Sequence, residues 1–238
     1  MKIGAIIFSR MSSSRLPGKA FKDVSGKFLL ERVIDRTKKI KLIDHICVAT
    51  STNQEDDKIS IYAESKGLDV FRGSLNDVSN RAFEASKKYN YDSFLRVCAD
   101  RPFLDSKIYD DMINIHKNNN FDIVTNIFPR TVPPGLTGEI ININALEKML
   151  KLTNDPIDRE HVTRYFYQNP KMFKIYNCDF FDNKTIIELR LVIDDIRDLE
   201  RSRWIASNLK NNNTILNETK EIISLAKQWE INNKTTKL

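Results

Sequence analysis

The chain has 238 residues, enough for one large domain or two small ones, with 41% hydrophobic and 29% charged residues and a formal net charge of +6. Both signs of charge are dispersed, and the short basic runs at 36–41 and 87–88 are too small for the clustered footprint that nucleic-acid binding requires. No stretch approaches the ~18 consecutive apolar residues of a membrane span, and the opening MKIGAIIFSR is too short for a signal peptide.

The expected elements begin with IGAIIF (3–8), a continuous apolar run of the kind a strand shows when both its faces are covered. A polar loop, SRMSSSRLPGK (9–19), follows. Phe28, Leu29, Arg32, Val33, Arg36, Thr37 and Ile40 recur at a helical period, with Leu30 and Ile34 widening the stripe. HICVAT (45–50) is the second strand, 57–66 a helix stopped by Gly67, and DVFRG (69–73) the third strand. A helix over 77–89 has Asp77 as its N-cap, and SFLRVCAD (93–100) is the fourth strand. With a helix over 105–117 and the strand DIVTN (122–126), the alternation predicts a parallel sheet flanked by helices on both faces.

The second half is less regular. TVPPGLTGEIININ (131–144) carries two prolines and two glycines before an alternating strand, and 158–169 is a helix closed by Pro170. MFKIYNCD (172–179) and IIELRLVIDD (186–195) read as strands, 196–209 and 217–232 as helices, and NNKTTKL (232–238) as a fraying tail. The chain is thus expected to be one domain over 1–238 with an irregular insertion around 128–180. Cys47, Cys98 and Cys178 are far apart in apolar runs, an odd number without paired spacing, so buried reduced thiols and a cytoplasmic chain are expected rather than disulfides or a zinc site.

In open α/β sheets, ligands bind beyond the carboxyl ends of the strands, where the loop 9–19 lies. Its serines and glycine expose backbone N–H groups, and Arg10, Arg15 and Lys19 add fixed charge, which together describe a polyphosphate cradle. The spacing is neither that of a P-loop nor that of a G-x-G-x-x-G turn. Asp100 and Asp194 each end an expected strand at that same edge, where they suit a magnesium ion or a simple turn or cap. Without a cation the two carboxylates would repel. Asp195, directly before IRDLE, reads as a helix cap.

IGAIIFSRMSSSRLPGK, CVATS, VFRGSLNDV, RVCADRPFLD, DREHVTRYF and VIDDIRDLE occur in that order. As a set they resemble the cytidylyltransferases that include CMP-KDO and CMP-sialate synthetases, above all the SpsF-like branch of spore coat polysaccharide biosynthesis, over residues 1 to about 209. The resemblance implies a Rossmann-like (GT-A-like) nucleotidyltransferase fold: an α/β domain with a mostly parallel central sheet. It implies transfer of CMP from CTP to an acidic sugar or small phosphorylated acceptor, with Mg2+ and release of pyrophosphate, for surface polysaccharide or glycoconjugate biosynthesis. It also implies a homodimer whose irregular insertion serves acceptor binding and dimerisation. Carried over by position, Arg10, Ser14, Arg15 and Lys19 would hold the triphosphate, with Arg15, Lys19 and Asp100 in the chemistry. Thr50 and Ser51 would lie near the base and ribose, and Arg72, Ser74 and Asp77 would border the nucleotide pocket. Asp100 and Asp194 would bind magnesium, and Glu139, Arg159, Glu160, His161 and Thr163 would face the acceptor.

The chain departs from the pattern in three places. Ser9 precedes the first arginine. PPGLTGE stands where the branch has D-G-L-D-V-E, so Pro134 and Thr137 replace acidic residues while Glu139 is kept. Arg101 adds a cation beside the expected metal site. These changes bear on the acceptor rather than on CTP. A UTP- or GTP-dependent nucleotidyltransferase and a non-catalytic nucleotide-binding module are the alternatives; retention of Asp100 and Asp194 argues against the second.

Overall fold

The apolar run at the N-terminus forms β1 (Ile3–Phe8), whose first five residues are buried. In the computed structural model, which describes residues 1–181, 184–209 and 215–234, β1 lies inside a seven-stranded sheet. The other strands are β2 (His45–Ser51), β3 (Asp69–Gly73), β4 (Ser93–Cys98), β5 (Ile123–Thr125), β6 (Glu139–Asn142) and β7 (Ile175–Asn177), in the order β3-β2-β1-β4-β6-β5-β7. Strands β1 to β4 pair in parallel, as do β5 and β7, whereas β6 runs antiparallel to both β4 and β5.

Period-two alternation divides the apolar residues between two faces. Ile7, Leu95 and Ile140 pack in one core with residues of α1 (Leu29–Thr37), α4 (Ser106–Lys117), α8 (Ile196–Asn208) and α9 (Ile215–Lys234). Ile6, Phe94 and Ile141 pack in the other with α3 (Val78–Lys88), α5 (Ile143–Leu152) and α7 (Arg164–Gln168). Between these elements lie α2 (Asp57–Ser65), after β2, and α6 (Pro156–Glu160), before α7. The caps follow local chemistry: the carboxylates of Asp77, Asp105 and Asp195 accept backbone N–H bonds at the starts of α3, α4 and α8. No helix among the described residues is long and apolar enough to cross a membrane.

Four expectations are corrected. The stretch 158–169 is two short helices, α6 and α7, broken at His161 (φ −104°, ψ 80°). The first begins at Pro156, capped by Asp155, two residues earlier than expected. IIELRLVIDD forms no strand: Lys184–Glu188 is a 3-10 turn, and 189–195 runs without a ladder. Leu191 and Ile193 are buried while Arg190 points out, so the alternation reflects one-sided burial alone. This segment is tied down by Leu191 N–H to the Pro134 carbonyl (2.7 Å) and Ile193 N–H to the Asp100 carbonyl (2.9 Å). Cys47 and Cys178 are buried, but Cys98 is only half-buried. The start of the polar tail, Asn232 to Lys234, continues α9, and residues 235–238 lie outside the described residues.

Candidate active site

At the carboxyl ends of β1 and β4 the chain leaves a cavity of about 370 Å3. The opening loop forms its rim. It folds back on itself, with the Ser13 and Gly18 N–H groups donating to the Met11 carbonyl at 2.9 and 3.1 Å and Gly18 at φ 65°. That positive φ is cheap for glycine. The fold-back is pinned from below by Asp56, fully buried, whose carboxylate accepts from Met11 N (2.7 Å), Ser51 N (3.1 Å) and Ser51 Oγ (2.5 Å). Held this way, the loop presents Arg10, Ser13, Ser14, Arg15 and Lys19 to the cavity.

Lys19 is the junction of the site. Its Nζ donates to Asp100 Oδ2 (3.2 Å), Asp194 Oδ1 (3.1 Å) and the Ile193 carbonyl (3.0 Å). The expected carboxylate pair thus converges on one point, and a lysine of the chain itself relieves its repulsion. Arg15 reaches Asp194 Oδ2 at 3.3 Å, as does Arg190. Burial works against the Asp194 charge, but Lys19, Arg15 and Arg190 outweigh it and hold the carboxyl below its ordinary range. Behind it, buried Asp198 accepts the Asp194 N–H (3.1 Å), Arg190 (3.0 Å) and Arg201, anchoring the segment to α8.

The opposite wall carries Phe8, Val78, Arg81, Arg96, Cys98, Glu160 and His161. Glu160 pairs with Arg10 at 3.2 Å, and His161, exposed at the α6–α7 break, stands beside it. Arg81 is 2% exposed, donates to the Ser74 carbonyl (2.6 Å) and lies over the Phe8 ring at 5.9 Å. Burial, then the nearby Arg10, pushes its guanidinium down to about 10. Arg96 pairs with fully buried Glu139 at 2.5 Å. Burial opposes the Glu139 charge, yet Arg96, a Thr163 hydrogen bond and Arg101 together keep the carboxyl below its ordinary value.

Of the residues expected at the site, Arg10, Ser14, Arg15, Lys19, Asp100, Asp194, Glu160 and His161 line the cavity. The rest do not, and all but Thr50, whose buried hydroxyl has no hydrogen-bond partner among the described residues, have other partners for their side chains. Ser51 anchors the opening loop through Asp56, and Thr50 is fully buried. Arg72 binds the Ser51 and Asn53 carbonyls (both 2.9 Å) and Asp57. Ser74 Oγ accepts the Asp77 N–H, while Asp77 caps α3 and pairs with Arg159 at 3.3 Å. Arg159 also donates to the Thr153 and Leu150 carbonyls, and Thr163 and Glu139 lie buried together. Two of the departures meet in space: Arg101 Nη1 donates to the Thr137 carbonyl at 2.5 Å, where Tyr109 also donates at 2.9 Å. Arg101 is 8% exposed, and its Nε also lies 3.9 Å from Asp100 Oδ1, so it does stand as a cation beside the expected metal site.

Arg81, Arg96, Cys98, Phe8 and Val78 were not anticipated at the cavity, and Ser13 only as one of the serines of the opening loop. The one sequence signal for Arg96 was its period-two alignment with Phe94 and Cys98, which puts a cation on an otherwise apolar face.

Asp100 and Asp194 fit a hard divalent cation. They are paired oxygen donors, each about a quarter exposed, and converge on a single cation position now taken by Lys19 Nζ. Among the described residues no cluster of three or more His, Cys, Asp or Glu could hold a metal alone. Two carboxylates completed by water and phosphate oxygens are the usual magnesium arrangement.

A family model described as cytidylyltransferase matches residues 4–223. The chain is 28% identical over 200 residues to the spore coat polysaccharide biosynthesis protein SpsF of Bacillus subtilis, covering 82% of each. The structure is similar to that of a cytidylyltransferase from Leptospira borgpetersenii (TM-score 0.87, 33% identity, 96% of this chain and 94% of that one). It shares its fold with CMP:2-keto-3-deoxy-manno-octonic acid synthetase complexed with CTP (TM-score 0.67, 15% identity, 88% and 100%).

Proposed function

The chain belongs to the cytidylyltransferase family and is a nucleotidyltransferase, and from that premise we propose that it transfers CMP from CTP to an acidic sugar or small phosphorylated acceptor, releasing pyrophosphate, in surface polysaccharide or glycoconjugate biosynthesis. The observation that carries this reading is the convergence of Arg15, Lys19, Asp100 and Asp194 at the rim that also presents Arg10 and Ser14. The CTP bound by the structural neighbour and the biosynthetic role in the name of the Bacillus relative support it.

An acceptor oxygen attacks the α-phosphorus of CTP, and the bond to the β-phosphate oxygen breaks. The protein's task is to align these atoms and to neutralise charge that grows on the leaving group. Loop N–H groups with Arg10, Ser14 and Arg15 hold the triphosphate. Lys19, whose three amine hydrogens are met by Asp100, Asp194 and the Ile193 carbonyl, exchanges one of these partners for a phosphate oxygen. Asp100 and Asp194 would hold Mg2+, which when bound neutralises phosphate charge and favours displacement. Glu160 and His161 face the acceptor, and the 128–180 region contributes acceptor binding and a homodimer contact.

A pyrophosphate-release assay with each nucleoside triphosphate, run against acidic sugars and small phosphates, tests the reading. Release with CTP is expected; release with UTP or GTP in preference to CTP would overturn it.

A further inference from the structure

Arg96 stands apart from the triphosphate rim. The opening loop leaves β1 on one side of β4, whereas Arg96, on β4, turns to Glu139 of β6 on the other. Its Nη1 donates to Glu139 Oε2, and Glu139 Oε1 accepts the Tyr167 hydroxyl at 2.8 Å, which lies 3.0 Å from Thr125 Oγ1 of β5. Three neighbouring strands and α7 therefore fix one guanidinium. Glu139 is fully buried, Arg96 is 20% exposed, and that remainder opens into the cavity. Among the described residues Glu139 is the group that holds the Arg96 side chain, and Nε is buried without a partner.

Arg96 thus neutralises the buried Glu139 carboxylate and still shows part of its side chain to the cavity. We infer that Arg96 holds the carboxylate of the acceptor, with Glu139 and Tyr167 as its positioning residues; this rests on the CTP-dependent transfer proposed above. A planar fork of N–H donors matches a carboxylate. Its pairing with Glu139 leaves the cluster near neutral, which suits a monoanion; a phosphate dianion would meet the Glu139 charge behind the guanidinium.

The test compares the parent with Arg96→Lys, Tyr167→Phe and the double variant Arg96→Met/Glu139→Gln, which leaves no unpaired buried charge. Pyrophosphate release is measured with CTP and three probe sets: 3-deoxy-manno-octulosonate and other sugar acids, the matching sugars with the carboxylate reduced to an alcohol, and sugar phosphates. The parent should use acids and reject their alcohols. Arg96→Lys should raise the acid KM about 10- to 100-fold with little change in kcat, the double variant should do at least as much, and Tyr167→Phe should raise KM less. CTP-dependent thermal stabilisation should persist in all three variants.

A parent that prefers alcohols or phosphates, an unchanged acid KM in Arg96→Lys, or loss of CTP binding in step with acid KM would each overturn the assignment while leaving CTP-dependent transfer intact. If the parent releases no pyrophosphate with any probe, the transfer reading falls. Saturation-transfer NMR of 3-deoxy-manno-octulosonate then decides for Arg96: transfer to the parent that is lost in Arg96→Lys supports it, and transfer kept, or absent from both, overturns it.

Discussion

Lys19 and Asp194 are 175 residues apart in the chain and 3.1 Å apart in the fold, Nζ to Oδ1. This contact joins the loop after the first strand to a segment that belongs to no strand, and both residues line the cavity. Replacing Lys19 or Arg15 by alanine is expected to cost turnover about 100- to 1,000-fold, the usual loss when a donor to growing charge is removed. Both lie in a polar loop, so the melting temperature should move by only a few degrees. Near-parent turnover at saturating CTP in both variants would show that the loop does not serve the leaving group.

Asp100→Asn and Asp194→Asn are each expected to abolish Mg2+-dependent turnover. Repulsion between bare carboxylates would make either substitution stabilising, but Lys19, Arg15 and Arg190 already compensate Asp194. Asp194→Asn should therefore lower the melting temperature of the nucleotide-free protein. Turnover across a magnesium series reads the first effect and thermal unfolding the second; near-parent rates in both variants at low magnesium would remove the metal assignment.

Among the four nucleoside triphosphates with Mg2+, CTP is expected to give the largest thermal stabilisation. At a hundredfold excess over its dissociation constant the gain is about 2.7 kcal/mol, near 5–10 °C for a chain of this size. A larger shift with UTP or GTP would point to different base contacts.

Acid should destabilise the fold in two steps. His116 is 2% exposed, 2.8 Å from Ser93 Oγ, and burial pushes its imidazole down to about 4. Between pH 6.5 and 4 the unfolded chain takes up a proton that the native one refuses, so stability falls with pH across that window, by up to ~3 kcal/mol. Glu139 and Asp194 have lowered carboxyls; their contribution is full above their ordinary values of 4.5 and 3.8 and is lost as pH drops through the native values below. Urea unfolding at pH 7, 6 and 5 should show the first step in the parent and not in His116→Gln. An equal loss in both would assign it to another group.

Gly135 sits at φ 110°, and a Cβ there would come within 2.4 Å of the Leu191 carbonyl oxygen. Its neighbour Pro134 accepts the Leu191 N–H, so this contact seats the segment that delivers Asp194. Gly135→Ala is expected to cost on the order of 1–3 kcal/mol from backbone strain alone and to lower turnover further by shifting Asp194. Parent-like turnover in this variant would show that Asp194 tolerates the displacement.

Apolar runs, helical periods and cap residues by themselves determined the first half of the fold, because β1 to β4 and their helices are built from local patterns that burial on both faces then rewards. The loop 9–19 and Asp100 were legible as charge and small residues placed just after β1 and β4, whereas Asp194 reaches the same cavity from a segment that forms no strand. The antiparallel β6 and the break at His161 were not legible, because each depends on contacts with elements distant in sequence. One-sided burial of Leu191 and Ile193 mimics a strand, and only their docking on Pro134 and Asp100 distinguishes the two. The same holds for Ser51, Asp77 and Arg159, whose residue types suit a ligand but whose hydrogen bonds are taken by Asp56, the α3 cap and the Leu150 and Thr153 carbonyls. Arg96 is the converse: a lone cation in a strand is unremarkable in sequence, and pairing across β4, β6 and β5 is what turns it toward the cavity with a buried carboxylate at its back.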